Sequence, residues 1–283
     1  MPLVSIIIPC WNAGSFLEGL FKSLADQTFT DFEVIVVDDG SDDAATRTAL
    51  SRLPPHICVH RQENRGLSGA RNSGFSLAKG KFVLPLDCDD RLEPEFLSKA
   101  IQKLETDQSV DFVFSHMRLT GGREGILERA FNPFDQLFLN QLPYALLMHK
   151  SCWEIVGGYD ETMRGGYEDW DFNLRLIAAG FRGHVLPEPL FIYRVADDGM
   201  LLAKSARRHG VLWRQIREKH PDSYKIGNLL HLKRKSGPGK VSGLVAATLL
   251  GSAILLPDIL FGWLFHRALR NRGNNTSSQR SSD

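Results

Sequence analysis

The residues able to do chemistry in this chain are carboxylates gathered in three places. Asp87, Asp89 and Asp90 fall within four residues, directly after the apolar run Phe82-Val83-Leu84-Pro85-Leu86. Acids this crowded repel one another unless a cation sits between them. Alternation along an extended segment puts Asp87 and Asp89 on one side and turns Cys88 away. Two hard oxygen ligands could then converge on one Mg²⁺ or Mn²⁺, ions that also bind substrate phosphates. A solvated acidic turn before a helix at Glu93-Pro94 accounts for the same residues without a metal. Asp38-Asp39, followed by Gly40-Ser41, forms the second group, and Glu168-Asp169 the third. The last could be no more than a helix cap. Four cysteines (Cys10, Cys58, Cys88, Cys152) lie scattered without a Cys-x-x-Cys pair, which speaks against a disulfide framework and a zinc site. The nine histidines show no paired metal spacing, and His116, His149 and His184 read as scaffold residues.

Regular elements must position these acids. Leu3–Ile8 is a β-branched run ending at Pro9 and predicts a buried strand. Ser15 with Glu18 predicts a capping box for a helix whose stripe is Phe16, Leu17, Leu20, Phe21 and Leu24. Phe32–Val37 predicts a second strand, Asp43–Leu53 a polar helix, and Ile57–His60 a short third strand. The glycine-punctuated stretch from Glu63 to Gly74 opens a helix ending near Lys79-Gly80, and Phe82–Leu86 is the fourth strand. Strand and helix alternate, so the first hundred residues predict a mostly parallel sheet with right-handed crossovers. In open sheets of that kind ligands bind at the carboxyl ends of the strands, where two of the acidic groups fall. Beyond the helix Pro94–Thr106 the pattern becomes mixed. Phe112–Leu119 and Gly125–Phe131 flank an expected hairpin turn at Gly121-Gly122, and Tyr144–His149 reads as a strand. Ser151 with Glu154 opens a short helix that stops at Gly157-Gly158. Trp170–Ala179 is a helix with Gly180 after its end, and Gly183–Leu186 and Leu190–Arg194 are strands.

With 283 residues and 43% hydrophobic content the chain can bury a full core and an appendage, and a net charge of +1 supplies no field for nucleic acid. Met1-Pro2 leads straight into a strand with no basic, cleavable leader, so no secretory signal is expected. From Leu201 the chain turns helical and basic, with Lys204, Arg207, Arg208, Arg214, Arg217 and Lys219, then Lys233-Arg234-Lys235 and Lys240. Val241–Phe265 is apolar and long enough to span a bilayer, but Pro257-Asp258 interrupts it. An in-plane helix pair bent at Pro257, or docking on protein, would also bury it.

The three acidic groups, together with the lead-in Val4-Ser5-Ile6-Ile7-Ile8-Pro9-Cys10-Trp11-Asn12, closely resemble the family 2 glycosyltransferases over roughly residues 3–195. The resemblance implies a GT-A fold, a Rossmann-like mostly parallel sheet flanked by helices, here with a helical C-terminal extension. It also implies a nucleotide-diphosphate sugar donor, Mn²⁺ or Mg²⁺, and transfer with inversion. Asp39 matches the acid that bonds the nucleotide base, where a carboxylate accepting from a ring N–H favours a UDP-sugar; Pro9 and Asn12 would line the same pocket. Arg71 matches a residue near the diphosphate, and Asp87 and Asp89 match the Asp-x-Asp motif, Asp89 as the direct metal contact. Asp169 matches the catalytic base, kept ionised by its place in the first turn of a helix. Tyr159, Asp160, Glu168 and Trp170 match the acceptor region.

The domains expected are a catalytic domain over 1–200, a basic helical extension over 201–240, a membrane-associated or transmembrane segment over 241–270 and a disordered tail over 271–283. The expected setting is the cytoplasmic face of a membrane contacted through 241–265. There the chain would extend a glycan or a lipid-linked precursor in cell-surface polysaccharide biosynthesis. A polyprenyl-phosphate sugar synthase and a non-catalytic nucleotide-sugar-binding subunit are the rivals.

Overall fold

The computed structural model describes residues 1–196, 208–258, 260–262 and 264–265. Two compact units emerge. The first comprises Met1–Phe131, Asn140–Arg164 and Glu168–Val195; the second comprises Asn132–Leu139, Gly165–Tyr167 and the chain from Ala196. Two short segments from within the expected catalytic region thus belong to the second unit.

The first unit is built on a nine-stranded mixed sheet. Its strands are β1 (Val4–Cys10), β2 (Phe32–Asp38), β3 (Cys58–Arg61), β4 (Phe82–Pro85), β5 (Arg91–Leu92), β6 (Phe112–Gly121), β7 (Gly125–Leu127), β8 (Leu147–His149) and β9 (Gly183–Val195). They lie in the order β3-β2-β1-β4-β8-β6-β9-β5, with β7 beside β6. The helices are α1 (Leu17–Ala25), α2 (Ala44–Ser51), α3 (Gly66–Leu77), α4 (Phe96–Thr106), α6 (Lys150–Val156) and α7 (Glu168–Ala178); α5 (Pro133–Gln136) lies in the second unit. β3, β2, β1 and β4 are parallel, as their alternation with helices requires. All seven residues of β1 are buried, because helices cover both faces of the sheet. Alternation divides its side chains: Val4, Ile6 and Ile8 pack with Leu17, Leu20 and Leu24 of α1, while Ile7 packs with Ala70 and Phe75 of α3.

The second half departs from a simple βα repeat. β8 runs antiparallel to both β4 and β6, β9 is parallel to β6, and the short β5 adds antiparallel to β9. The two strands expected at 183–186 and 190–194 form a single element, β9, whose register with β6 shifts between Ser115 and Met117. Pro187 and Pro189 explain both the expectation and the irregularity, since neither can donate to the ladder. The expected capping box at Ser15 does not form. A 3₁₀ turn over Gly14–Phe16 precedes α1, and its Gly14 N–H donates instead to Thr46 Oγ1 at 2.8 Å.

The second unit consists of α5, α8 (His209–Lys219), a 3₁₀ turn (Pro221–Tyr224), α9 (Ile226–Ser236) and α10 (Gly243–Leu255). Trp213 Nε1 and Tyr224 Oη both donate to Leu137 O, which ties α8 and the turn to the segment after α5. Asp135 accepts from the backbone N–H groups of Lys240 and Val241 and so fixes the bend between α9 and α10. α10 has thirteen residues, about 20 Å of helix. It ends where Leu256, extended at φ −104° and ψ 146°, meets Pro257. Among the described residues no helix is long and apolar enough to cross a membrane. The tail expected over 271–283 lies outside the described residues.

α3 carries site residues and sits directly on β1, an approach that Gly74 makes possible. A Cβ there would stand 2.3 Å from Ile7 Cγ2 and 3.2 Å from Val37 Cγ2, in the middle of two buried strands. Gly74→Ala is expected to destabilise the fold by about 1–3 kcal/mol, the usual cost of overpacking a filled core. Thermal melting checks it, and an unchanged midpoint would refute the tight contact.

Candidate active site

Two of the three acidic groups, those of Asp87 and Glu168, meet at one buried cation. Arg71, in the middle of α3, is 1% exposed. Its Nη2 donates to both oxygens of Asp87 at 2.9 and 3.1 Å, and its Nη1 donates to Glu168 Oε1 at 3.2 Å. The guanidinium lies over the rings of Tyr144 at 4.7 Å and Tyr159 at 5.3 Å. Burial works against its charge, but Asp87, Tyr159, Glu168 and Tyr144 outweigh burial and hold it above the ordinary arginine range. Its neighbour Asn72 faces a different element. Asn72 Nδ2 donates to Tyr159 O at 2.9 Å, and Asn72 Oδ1 accepts from Tyr159 N at 2.7 Å, which clamps the Gly157-Gly158-Tyr159 loop. Gly158 has φ +75°, and a Cβ there would stand 2.7 Å from Asn72 Oδ1, so the loop needs glycine twice over.

Beyond β4 the three aspartates have different fates. Asp87 keeps partial exposure while it pairs with Arg71. Asp89 accepts from Arg194 Nη1 at 3.4 Å, and burial together with Asp87 raises its pKa. Asp90 is 1% exposed and accepts from Tyr144 Oη and, at 2.8 Å, from the Arg194 N–H. Burial, Asp87 and Asp89 push Asp90 well above the carboxylate range. Tyr144 Oη also accepts from Asp87 N at 3.0 Å, so one phenol fixes the turn that presents Asp87 and Asp89. Cys88 points into the core and donates to Pro9 O, away from both acids as alternation requires.

Glu168 and Asp169 begin α7. Burial and Asp169 push Glu168 up to about 7 against the pull of Arg71. Asp169 Oδ2 accepts from Asn140 Nδ2 at 3.0 Å, and its Oδ1 accepts from Trp170 N at 2.7 Å. Its pKa is raised by burial, with Arg71 and the Asn140 hydrogen bond opposing. The helix start was expected to keep Asp169 strongly acidic; loss of water decides the sign the other way. Arg129 faces Asp169, and burial lowers its own pKa to about 10.

Other expected site residues take different positions. Asp39 is buried: Oδ1 accepts from Gln62 Nε2 at 2.7 Å and Arg65 N at 2.8 Å, and Oδ2 accepts from Gly66 N at 2.8 Å. It therefore closes the first turn of α3. The Arg71 guanidinium, expected to reach diphosphate oxygens, is occupied by two acids. Asn12 stands at φ +51°, and its side chain holds the Asp42-Asp43 turn by donating to Asp42 Oδ1 at 2.6 Å and accepting from Asp42 N and Asp43 N. Pro9 lies in β1, paired with Val37. Tyr159 and Trp170 are 3% and 2% exposed, so both rings are packed inside rather than offered to an acceptor. Tyr159 stacks on Phe172 at 4.3 Å, and its hydroxyl is buried with no hydrogen-bond partner among the described residues. Asp160 accepts from Thr162 N and Oγ1 in a local turn.

Asn140, Tyr144, Tyr193, Arg194 and Arg129 had no sequence signal. Burial, and then Asp90, Asp87, Asp169 and Asp89, raise the pKa of the Tyr193 hydroxyl.

A divalent cation was expected at Asp87 and Asp89. Among the described residues no group of three or more His, Cys, Asp or Glu side chains could hold a metal by itself. The donor set still fits a hard ion of the kind that takes one or two protein carboxylates and completes its shell with water and phosphate. Asp89 in particular carries an electrostatic penalty from Asp87 that a cation would relieve.

The fold has known counterparts. The E. coli chondroitin synthase is 28% identical over 193 residues, 65% of this chain and 28% of that protein. The chain spans less than a third of the chondroitin and hyaluronan synthases it matches. S. aureus TarS 1–349 in complex with UDP-GlcNAc has a TM-score of 0.64 at 23% identity, covering 82% of this chain and 69% of that one. Mannosyltransferase PcManGT from Pyrobaculum calidifontis, in complex with GDP-Man and Mn²⁺, has a TM-score of 0.59 at 19% identity, covering 95% and 80%. Identities this low establish a shared GT-A fold. The model of glycosyl transferase family 2 matches residues 5–162, more than half of the sequence, and the chain belongs to that family.

Proposed function

We propose that the chain is an inverting glycosyltransferase that moves a sugar from a nucleotide-diphosphate donor, a UDP-sugar, to a hydroxyl of a glycan or lipid-linked acceptor in cell-surface polysaccharide biosynthesis. The observation that carries this is the Arg71 bridge. It holds Asp87, at the carboxyl end of β4, and Glu168, beside Asp169 on α7, on one guanidinium. In this reading acids distant in sequence serve one site, with the donor on one side and the acceptor on the other.

Each residue then has a role. Asp39 follows β2 and Asp87 lies just beyond β4, two strands parallel to β1 on either side of it, so both stand at the carboxyl edge of the sheet. Asp39 Oδ2 accepts one bond, from Gly66 N, which leaves it able to accept from a ring N–H of uracil. Asp87 and Asp89 would hold Mn²⁺ or Mg²⁺ against the donor diphosphate, and the ion would neutralise charge gathering on the leaving group. Arg71 positions Asp87. Asp169, held by Asn140, accepts the acceptor hydroxyl's proton as the oxygen attacks the anomeric carbon. Attack opposite the departing diphosphate inverts that carbon in one displacement, and no covalent nucleophile is needed. A raised pKa suits Asp169, because a stronger base takes a hydroxyl proton more readily.

Contact with the inner face of a membrane through 241–265 belongs to the same proposal. α10 carries no charged residue, and of its thirteen residues Ala246 is the one buried. A helix apolar on all sides needs an apolar partner. The basic run Lys233-Arg234-Lys235 at the end of α9 would meet anionic headgroups.

Asp169→Asn is expected to lower transfer by about 10²–10⁴-fold while donor binding persists. Transfer assays beside donor-induced thermal shifts check this, and retained activity would point to an acceptor phosphate that needs no base. UDP-sugars with Mn²⁺ should raise the melting temperature above GDP- and dTDP-sugars; at a hundred times Kd the stabilisation is about 2.7 kcal/mol. If no nucleotide sugar raises it, the donor assignment fails. The proton inventory adds a pH dependence. Folded Glu168 titrates near 7 rather than at its ordinary 4.5, so the native state holds a proton the unfolded chain has lost. Its contribution to stability is present below about 4.5 and disappears as pH rises through 7. Activity moves oppositely, rising with pH as the Glu168–Asp169 pair ionises. Glu168→Gln removes the adjacent titration, and the acid limb of the kcat/KM profile should shift to lower pH; an unmoved limb would separate Glu168 from the base.

A further inference from the structure

The second unit contains a groove that the transfer reaction does not use. Its volume is about 840 Å³, and its walls are overwhelmingly apolar, with Phe134, Leu229, Leu230, Ala246, Leu250 and Ile254 among them. That size matches sites for small organic ligands, about 300–1,000 Å³. Three cations, Arg214, Arg217 and Lys233, and one acid, Glu218, also line it. Two of the cations are committed. Arg214 pairs with Asp258 at 2.5 Å, and Lys233 donates to Val241 O at 2.7 Å and stands over the Phe134 ring.

Arg217 differs. Its guanidinium lies 4.8 Å from the centre of the Trp213 ring, its Nε is buried, and no hydrogen bond or ion pair reaches it among the described residues. A half-buried cation without a bonded anion is costly beside an apolar wall, and a bound phosphate would remove the cost. A free phosphate would leave the apolar walls unused. α10 also presents large apolar side chains outside the groove: Leu244 is 79% exposed and Leu255 82%, while Ile226 and Ile254 stand exposed at its rim. A ligand that is anionic at one end and a long hydrocarbon at the other satisfies both features, and a bilayer supplies it while covering the exposed leucines and isoleucines.

We propose that this groove, formed by α8, α9, α10 and the turn between α8 and α9, holds one anionic phospholipid of the membrane, an acyl chain along the apolar walls and the phosphate at Arg217. This rests on the membrane contact proposed above and gives it a stoichiometric site. Arg217 is the recognition residue, and the outward face of α10 is the general contact.

The test uses the full chain with vesicles of phosphatidylcholine, with and without phosphatidylglycerol. Vesicle binding should be stronger with phosphatidylglycerol, and Arg217→Gln should weaken it about fivefold, the effect of one cation at an anionic surface. Native mass spectrometry of protein released from these vesicles should show one phosphatidylglycerol per chain. Ala247→Trp, which fills the groove, should lose that lipid and still bind vesicles; Ala247→Phe is the milder filling if the first variant melts early. Vesicle binding with no retained lipid, or with lipid retained by both filled variants, overturns the groove site and leaves the membrane contact standing. No vesicle binding at all overturns both. Equal competition by inorganic phosphate would reduce the site to a simple anion pocket and overturn the lipid assignment.

Discussion

A guanidinium that has left water must be surrounded by groups that replace the water, and the first unit of this chain is arranged around that requirement. Arg71 reaches Asp87, Glu168 and two tyrosine rings from the middle of α3. Removing Asp87 would leave the guanidinium buried beside a Glu168 that burial already pushes up to about 7, a loss of about 3–5 kcal/mol in comparable buried pairs. The bridge is therefore a constraint as well as a contact: the turn after β4 and the start of α7 cannot drift apart without exposing it. Asp89 and Asp169, one residue or two from the bridged acids, inherit that placement.

The supports of the bridge are themselves backbone features. Gly74 lets α3 lie against β1, and Asp39 closes the turn from which α3 begins. Asn72 clamps the loop that brings Tyr159 beneath the guanidinium. Arg175, on α7, donates to the carbonyl oxygens of Val156 and Gly158 and ties the same loop from the other side. Positions that resemble ligand contacts in the sequence thus act here as fasteners. The two uses are compatible, since an acid fixed by the backbone is already oriented for the bond a remaining lone pair can make.

Charge in this site is tuned by exclusion of water more than by helix ends. Asp169 illustrates the competition. The first turn of a helix favours a carboxylate by a few tenths of a kcal/mol up to about one, whereas burial acts more strongly in the opposite direction. Asp90 goes further, buried against Tyr144 and the Arg194 N–H with two acids close by. The outcome is a set of acids graded in burial, from the partly exposed Asp87 to the buried Asp90.

The acid groups, the alternation that builds a parallel sheet through β4, the separation of Cys88 from Asp87 and Asp89, and the family were legible in the amino-acid sequence. They rest on local rules: period-two burial, strand-end position, and residue types set at fixed spacings along the chain. The sheet beyond β4 was not legible, because antiparallel β8, parallel β9 and the two-residue β5 are chosen by partners distant in the chain rather than by their own pattern. Nor were the partners of Arg71, the inward turn of Tyr159 and Trp170, the hold of Asn140 on Asp169, or the direction in which Asp169 is shifted. These depend on which groups lose water together, and that is settled only when the elements close on one another.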